Sequence, residues 1–185
     1  QWLTLELVPS CGAGQIFYDA SIGGTTGDDT LIDTSPGGLT DNQLNGNAGN
    51  DIINGLDGHD KLIGGAGNDT LDGGTGDDYV LGGTGNDTYI YTTGNDTFSE
   101  AGGDGVDEII IASSTGLTQA NLNDLYRFGD DLLLFFDNGG RVTIHDYAST
   151  VSRIETITFE SDSSVIDLAS IISERFEGTD KSDNL

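Results

Sequence analysis

The sequence predicts an all-β protein: a parallel β-roll solenoid of nonapeptide repeats with a C-terminal β-rich capping domain. Three observations carry that reading. A nine-residue period runs from Gly24 to Ile110. Within it, one position is apolar in every copy and another is aspartate in all copies but one. Beyond Ile111 the period stops, and alternating apolar segments take over, separated by Gly- and Asn-rich turns. The chain accordingly divides into an N-terminal strand or cap segment (1–23), the roll (24–110), a β-rich capping domain (111–177) and the start of a further repeat (178–185).

The first segment, Gln1 to Leu7, alternates like a strand and lacks a basic leader, so any export signal is expected elsewhere. Cys11 is the single cysteine, which rules out an intrachain disulfide. It sits in a Gly-rich loop without an adjacent base and reads as a bystander.

The period is plainest where Gly64 to Asp72, Gly73 to Leu81 and Gly82 to Ile90 follow one another directly. The same frame gives copies starting at Gly37, Gly46, Gly55 and Tyr91. An earlier copy at Gly24 is set off by Asp33 to Pro36, and a later one at Gly102 by Glu100 and Ala101, making nine. The sixth position holds Asp29, Asn42, Asp51, Asp60, Asp69, Asp78, Asp87, Asp96 and Asp107. The eighth holds Leu31, Leu44, Ile53, Leu62, Leu71, Val80, Tyr89, Phe98 and Ile109. The fourth is glycine except at Thr40.

Each repeat reads as a six-residue turn and a three-residue strand. Side chains alternate along a strand, so position eight faces in while seven and nine face out. Two repeats then make one 18-residue coil with two short parallel sheets, and repeats two apart stack at about 4.8 Å. That stacking aligns the position-six aspartates. Two bare carboxylates so placed repel by roughly 3–4 kcal/mol at an effective dielectric near 20. Several such pairs exceed the roughly 5–15 kcal/mol that stabilises a domain, and one small apolar side chain per repeat cannot offset them. A cation between the turns is required. Carboxylate and carbonyl oxygens, without a cysteine or histidine cluster, select calcium.

Charge agrees with this. The chain carries 32 acidic and six basic residues, a net charge of −26. Such a surface repels nucleic acid and anionic membranes and favours cations. A solvated, disordered acidic segment is the bland alternative. The register of the acids with glycines and apolar residues argues against it. No stretch has the length of a transmembrane helix.

After the roll, Leu125 to Phe128, Leu132 to Asp137 and Arg141 to Tyr147 read as a strand meander, with Ile154 to Phe159 as another strand. Asp167 to Ser173 reads as a short helix. Tyr126, Phe128, Phe136 and Tyr147 are read as core rather than as a ligand platform. The last residues, Glu177 to Leu185, read as a new repeat with Asp183 at position six, so a longer polypeptide is expected.

From Gly24 to Ile110 the chain resembles the RTX, or haemolysin-type, calcium-binding repeat family. The part from about Leu117 to Ile172 is similar to the β-rich domain that follows such repeats. The resemblance implies calcium between turns of repeats two apart. It assigns the carboxylates of Asp29, Asp51, Asp60, Asp69, Asp78, Asp87, Asp96 and Asp107 as ligands. Backbone carbonyls of Gly46, Ala48, Gly55, Asp57, Gly64, Ala66, Gly73, Thr75, Gly82 and Thr84 are implied to complete the shells. Asn42 with Thr40 departs from the motif. The seven uninterrupted repeats from Gly37 to Ser99 offer five pairs two apart, hence about five calcium ions. The resemblance further implies type I secretion machinery and flanking domains as partners, and a secreted, extracellular or cell-surface location.

No catalytic motif appears. His-Glu-x-x-His, Gly-x-Ser-x-Gly and a phosphate-binding Gly-Lys-Ser/Thr loop are missing, as is the Asp-Pro bond of self-cleaving relatives. His59 and His145 belong to no metal or nucleophile motif. The chain is therefore expected to be a calcium-dependent folding module and not an enzyme. The alternative is a surface-recognition module, for carbohydrate or another ligand, of an RTX adhesin. Ice binding is disfavoured because Ala66/Asn68 and Thr75/Asp77 break the Thr-x-Asn rows.

Overall fold

The computed structural model describes residues 20–33, 41–102, 105–147 and 154–170. Cys11, the N-terminal strand, the first four residues of the copy from Gly37, residues 171–173 and the final repeat lie outside these residues. The repeats wind into two sheets. One takes β1 (Ala20–Gly23), β3 (Asn42–Ala48), β5 (Lys61–Ala66), β7 (Tyr79–Thr84) and β9 (Asn95–Ser99) in parallel. The other takes β2 (Thr30–Ile32), β4 (Ile52–Asn54), β6 (Thr70–Asp72), β8 (Thr88–Tyr91) and β10 (Glu108–Ile111). This is a parallel β-roll, as the period predicts.

Position eight builds the core. Leu44, Leu62, Val80 and Phe98 stack in the first sheet, and Leu31, Ile53, Leu71, Tyr89 and Ile109 in the second. All are buried. Strands of the second sheet are mostly three residues long, but β5 and β7 continue through the first three positions of the next repeat. The three-residue expectation is thus too short on that side: the Gly-Gly-x segments pair as well, Gly65 with Gly83 and Ala66 with Thr84.

The residues after Ile111 extend both sheets. β11 (Leu122–Phe128), β12 (Asp131–Phe136) and β13 (Arg141–Ile144) form the expected meander, and β13 lies parallel against β9. β14 (Thr156–Phe159) lies parallel against β10, and β15 (Ser164–Asp167) closes that sheet antiparallel. The core continues without a break and becomes aromatic: Tyr89 meets Phe98 with centroids 5.2 Å apart, and Tyr91 meets Phe136 at 5.4 Å. Asp167 Oδ1 accepts the N–H groups of Ala169 and Ser170, as a helix start requires.

The core reading of four aromatics holds for Phe136 and Tyr147, which are buried. It fails for Phe128, 77% exposed. The reason is topological. β11 is the outer edge of an eight-stranded sheet whose partner has seven strands, and only Leu125 of β11 is buried.

Candidate metal centre

The position-six side chains form two ladders, one on each side of the roll. In the first, the N–H of Asn42 donates to Asp60 Oδ1 at 2.7 Å, Asp60 to Asp78 at 2.8 Å, and Asp78 to Asp96 at 3.1 Å. In the second, Asp29, Asp51, Asp69 and Asp87 each donate to the Oδ1 of the next member, ending on Asp107, all at 2.8 Å. The four-residue insertion after Ile32 and the two-residue slip after Ser99 do not break the register. Position-five side chains make outer ladders of the opposite sense: Asn68 N–H donates to Asn50 Oδ1, and Asp77 N–H to His59 Nδ1 at 2.8 Å. His59 is thereby a ladder member. His145 lies exposed, 2.9 Å from Asp131.

Each ladder uses only one carboxylate oxygen. The Oδ2 atoms of Asp51, Asp60, Asp69, Asp78 and Asp87 are buried and accept no hydrogen bond. A buried, unsatisfied carboxylate oxygen is rare and costly. These oxygens border a shared kind of space. A Cβ built on Gly64 would collide with Asp69 Oδ2 and lie 2.7 Å from the Gly82 carbonyl oxygen. One on Gly55 would collide with Asp60 Oδ2 and lie 2.7 Å from the Gly73 carbonyl. One on Gly46 meets Asp51 Oδ2 and the Gly64 carbonyl, and one on Gly24 meets Asp29 Oδ2 and the Gly46 carbonyl. Position one is glycine because a side chain there fills an oxygen-lined cradle. The carbonyls of Ala66, Thr75 and Thr84 each accept a ladder N–H at 2.8–2.9 Å, which leaves each a second lone pair. Asp57 pairs with Thr75, whose hydroxyl donates to Asp57 Oδ1 at 2.6 Å.

Burial and mutual repulsion set the electrostatics. Desolvation first, then neighbouring carboxylates, pushes Asp60 and Asp87 up to about 7, against backbone hydrogen bonds that lower them. The same causes take Asp96 to about 8. Desolvation takes Asp78 and Asp107 to about 6. The donors are all hard oxygens, and orphan carboxylate oxygens beside carbonyls fit a calcium ion.

Two acidic residues outside the repeat motif belong to this geometry. Asp72, at position nine, has Oδ1 buried and unpartnered, and its charge raises Asp78 and Asp96. Glu100 stands where Gly46, Gly64 and Gly82 stand in their repeats. Its carboxylate, with those of Asp87 and Asp107, offers oxygens all within 4.8 Å of one another. Like charges at that distance repel by roughly 3–4 kcal/mol per pair at an effective dielectric of about 20. The frame slip at Glu100 hid it, although its spacing from Gly82 is the same 18 residues that separate Gly64 from Gly82.

A roll with all-oxygen cradles repeated along two rows is a structural cation-binding solenoid. Residues 36–71 and 63–98 match the RTX calcium-binding nonapeptide repeat (four copies), so over that stretch the roll carries RTX calcium-binding repeats. No curated protein matches the chain. Among solved structures, the crystal structure of extracellular lipase LipA from Serratia marcescens is similar at 27% identity and a TM-score of 0.33. The match covers 67% of this chain and spans 18% of the lipase chain. Among the described residues no helix is long and apolar enough to cross a membrane.

Proposed function

We propose that the chain is a calcium-driven folding module of a larger secreted or surface protein, structural and not catalytic. The observation that carries the reading is the row of buried, unpartnered Oδ2 atoms facing glycine cradles. Asp29, Asp51, Asp60, Asp69, Asp78, Asp87, Asp96 and Asp107 supply carboxylates. Carbonyls of Gly46, Ala48, Gly55, Asp57, Gly64, Ala66, Gly73, Thr75, Gly82 and Thr84 complete the shells of about five ions, one for each of the five repeat pairs between Gly37 and Ser99. The roll over 24–110 and the cap over 111–177 are then the working units, with flanking domains beyond them.

Calcium binds only the folded arrangement, so it stabilises by mass action. Sites of the extracellular kind bind at about 10⁻⁴–10⁻³ M, far above cytosolic calcium. The roll is then unfolded inside the producing cell and folds after export, as a type I secretion route requires. Burial of Phe136 and Tyr147 removes two of the four aromatics that a recognition platform would use.

Circular dichroism of the chelated chain titrated with calcium tests this. The expected result is a cooperative gain of β signal that sodium at equal ionic strength does not reproduce and magnesium reproduces weakly. A fully formed roll in excess chelator refutes the switch.

A further inference from the structure

The two rows of cradles end differently. In the first row, Tyr91 takes the place in its repeat that Gly55 and Gly73 hold in theirs, and Ile111 and Phe159 line up behind it. Val142 stands opposite Asp96, where the next aspartate of the ladder would be. A tyrosine side chain stands in the glycine place and a valine in the aspartate place, and the row stops. In the second row acids persist. Asp107 receives the N–H of Asp87, its own N–H donates to Glu155 Oε2 at 2.8 Å, and Glu100 fills the glycine place.

The repeat pattern accounts for Asp87 and Asp107 but not for Glu100. Asp87 is 1% exposed, and its Oδ2 has no partner. A Cβ built on Gly82 would lie 2.5 Å from Asp87 Oδ2 and 2.7 Å from Glu100 Oε1, so both oxygens border one cradle. Tyr89 steadies the glutamate: its hydroxyl contacts Glu100 Oε1, lies 2.7 Å from the Ser99 carbonyl oxygen and accepts the Gly82 N–H at 2.8 Å. Gly83 N–H donates to Glu100 Oε2 at 3.2 Å.

We propose that Glu100, with Asp87 and Asp107, holds a calcium ion that closes the second row, the glutamate side chain taking the place of a glycine carbonyl. This rests on calcium binding at the turns and adds one ion to the five pairs counted above. With three carboxylates the site carries more negative charge than a pair of stacked aspartates, and charge count raises calcium affinity. Burial pushes Glu100 up to about 8, the expected state of a carboxylate packed here without its cation.

The rival role is a neutral Glu100 that only hydrogen-bonds. Glu100→Gln keeps the shape and those hydrogen bonds and removes the charge. Bound calcium is counted by equilibrium dialysis of the full chain and of this variant at saturating calcium, with circular dichroism reporting the roll. The variant is expected to fold and to hold one ion fewer. Equal counts overturn the proposal while leaving calcium at the other turns intact. A parent chain that holds no calcium overturns both. If the variant does not fold, a crystal structure of the calcium-loaded parent decides. An ion within about 2.3–2.6 Å of a Glu100 oxygen supports the site. A Glu100 carboxylate that touches no ion, while other turns hold theirs, overturns it.

Discussion

At Gly64 the φ angle lies outside the left-handed region, so space alone explains the glycine: Asp69 Oδ2 and the Gly82 carbonyl occupy the place of a side chain. Gly64→Ala is expected to raise the calcium midpoint by about tenfold or more, read by circular dichroism. Gly129 is a control, with φ +66° and nothing within 4 Å of a built Cβ. Gly129→Ala should cost about 1–2 kcal/mol of stability and leave the calcium midpoint near its original value. Position two requires the other property of glycine, as Gly65 with φ +120° shows. Leu56 holds that position with φ +72° and 41% exposure. Its N–H donates to Asn54 Oδ1 at 3.0 Å, which supports a bend that leucine disfavours. Leu56→Gly is expected to stabilise the calcium-loaded chain by about 0.5–1 kcal/mol, strain relief outweighing added freedom in the unfolded chain. A lower melting temperature for this variant contradicts that assignment.

Titration acts at the same scale. In the metal-free chain, Asp60 and Asp87 titrate at about 7 and Asp96 at about 8, against about 3.9 for unfolded aspartate. The folded form therefore binds protons more tightly. Its extra stability is fully present below about pH 4 and is lost as pH rises through about 7 to 8. In chelator, the residual β signal of the roll, read by circular dichroism, should be greater at pH 5 than at pH 8. In saturating calcium the urea midpoint should be higher at pH 8 than at pH 5, because protons and calcium compete for the same oxygens. A β signal in chelator that does not change between the two pH values refutes the burial of these carboxylates.

Among the elements, β13 shows what sequence reading reaches and where it stops. Arg141 to Tyr147 alternates and was legible as a strand. That it runs parallel to β9, setting Val142 opposite Asp96, was not: more than forty residues separate them, and no period carries the frame across. The same holds for Glu155, which extends the second ladder from the residue just ahead of β14, outside the repeats. Position eight and the aspartate ladders were legible because a nine-residue period, doubled, returns each side chain to the same place in the next coil. β15 was missed because Ser164–Asp167 has only one buried residue, Ile166. Val142→Asp adds a charge with Asp96 on one side and Leu134 of β12 on the other. It should cost several kcal/mol even in saturating calcium, measured by urea unfolding. A variant as stable as the parent shows that the first row runs past Asp96.

In the whole molecule, the core thickens along the axis, from single aliphatic residues in the early coils to Tyr89, Tyr91, Phe98, Phe136 and Phe159 at the cap. A stack in which each coil touches only its neighbours has a stability that adds coil by coil. The thin early coils depend most on the cations, and the thick end depends least. Hydrogen exchange at intermediate calcium should protect β8, β10 and β14 before β2 and β4. Protection that rises uniformly along the axis counts against that gradient.

The stacking of strands 18 residues apart has a mechanical side. Eighteen residues of extended thread reach about 60 Å, whereas one coil adds about 4.8 Å to the column. Ordering a coil therefore reels in roughly nine-tenths of its contour. A tether held at one end contracts as ions arrive, and a steady pull on it opposes their binding, so tension and calcium concentration become interchangeable controls on the length of this segment.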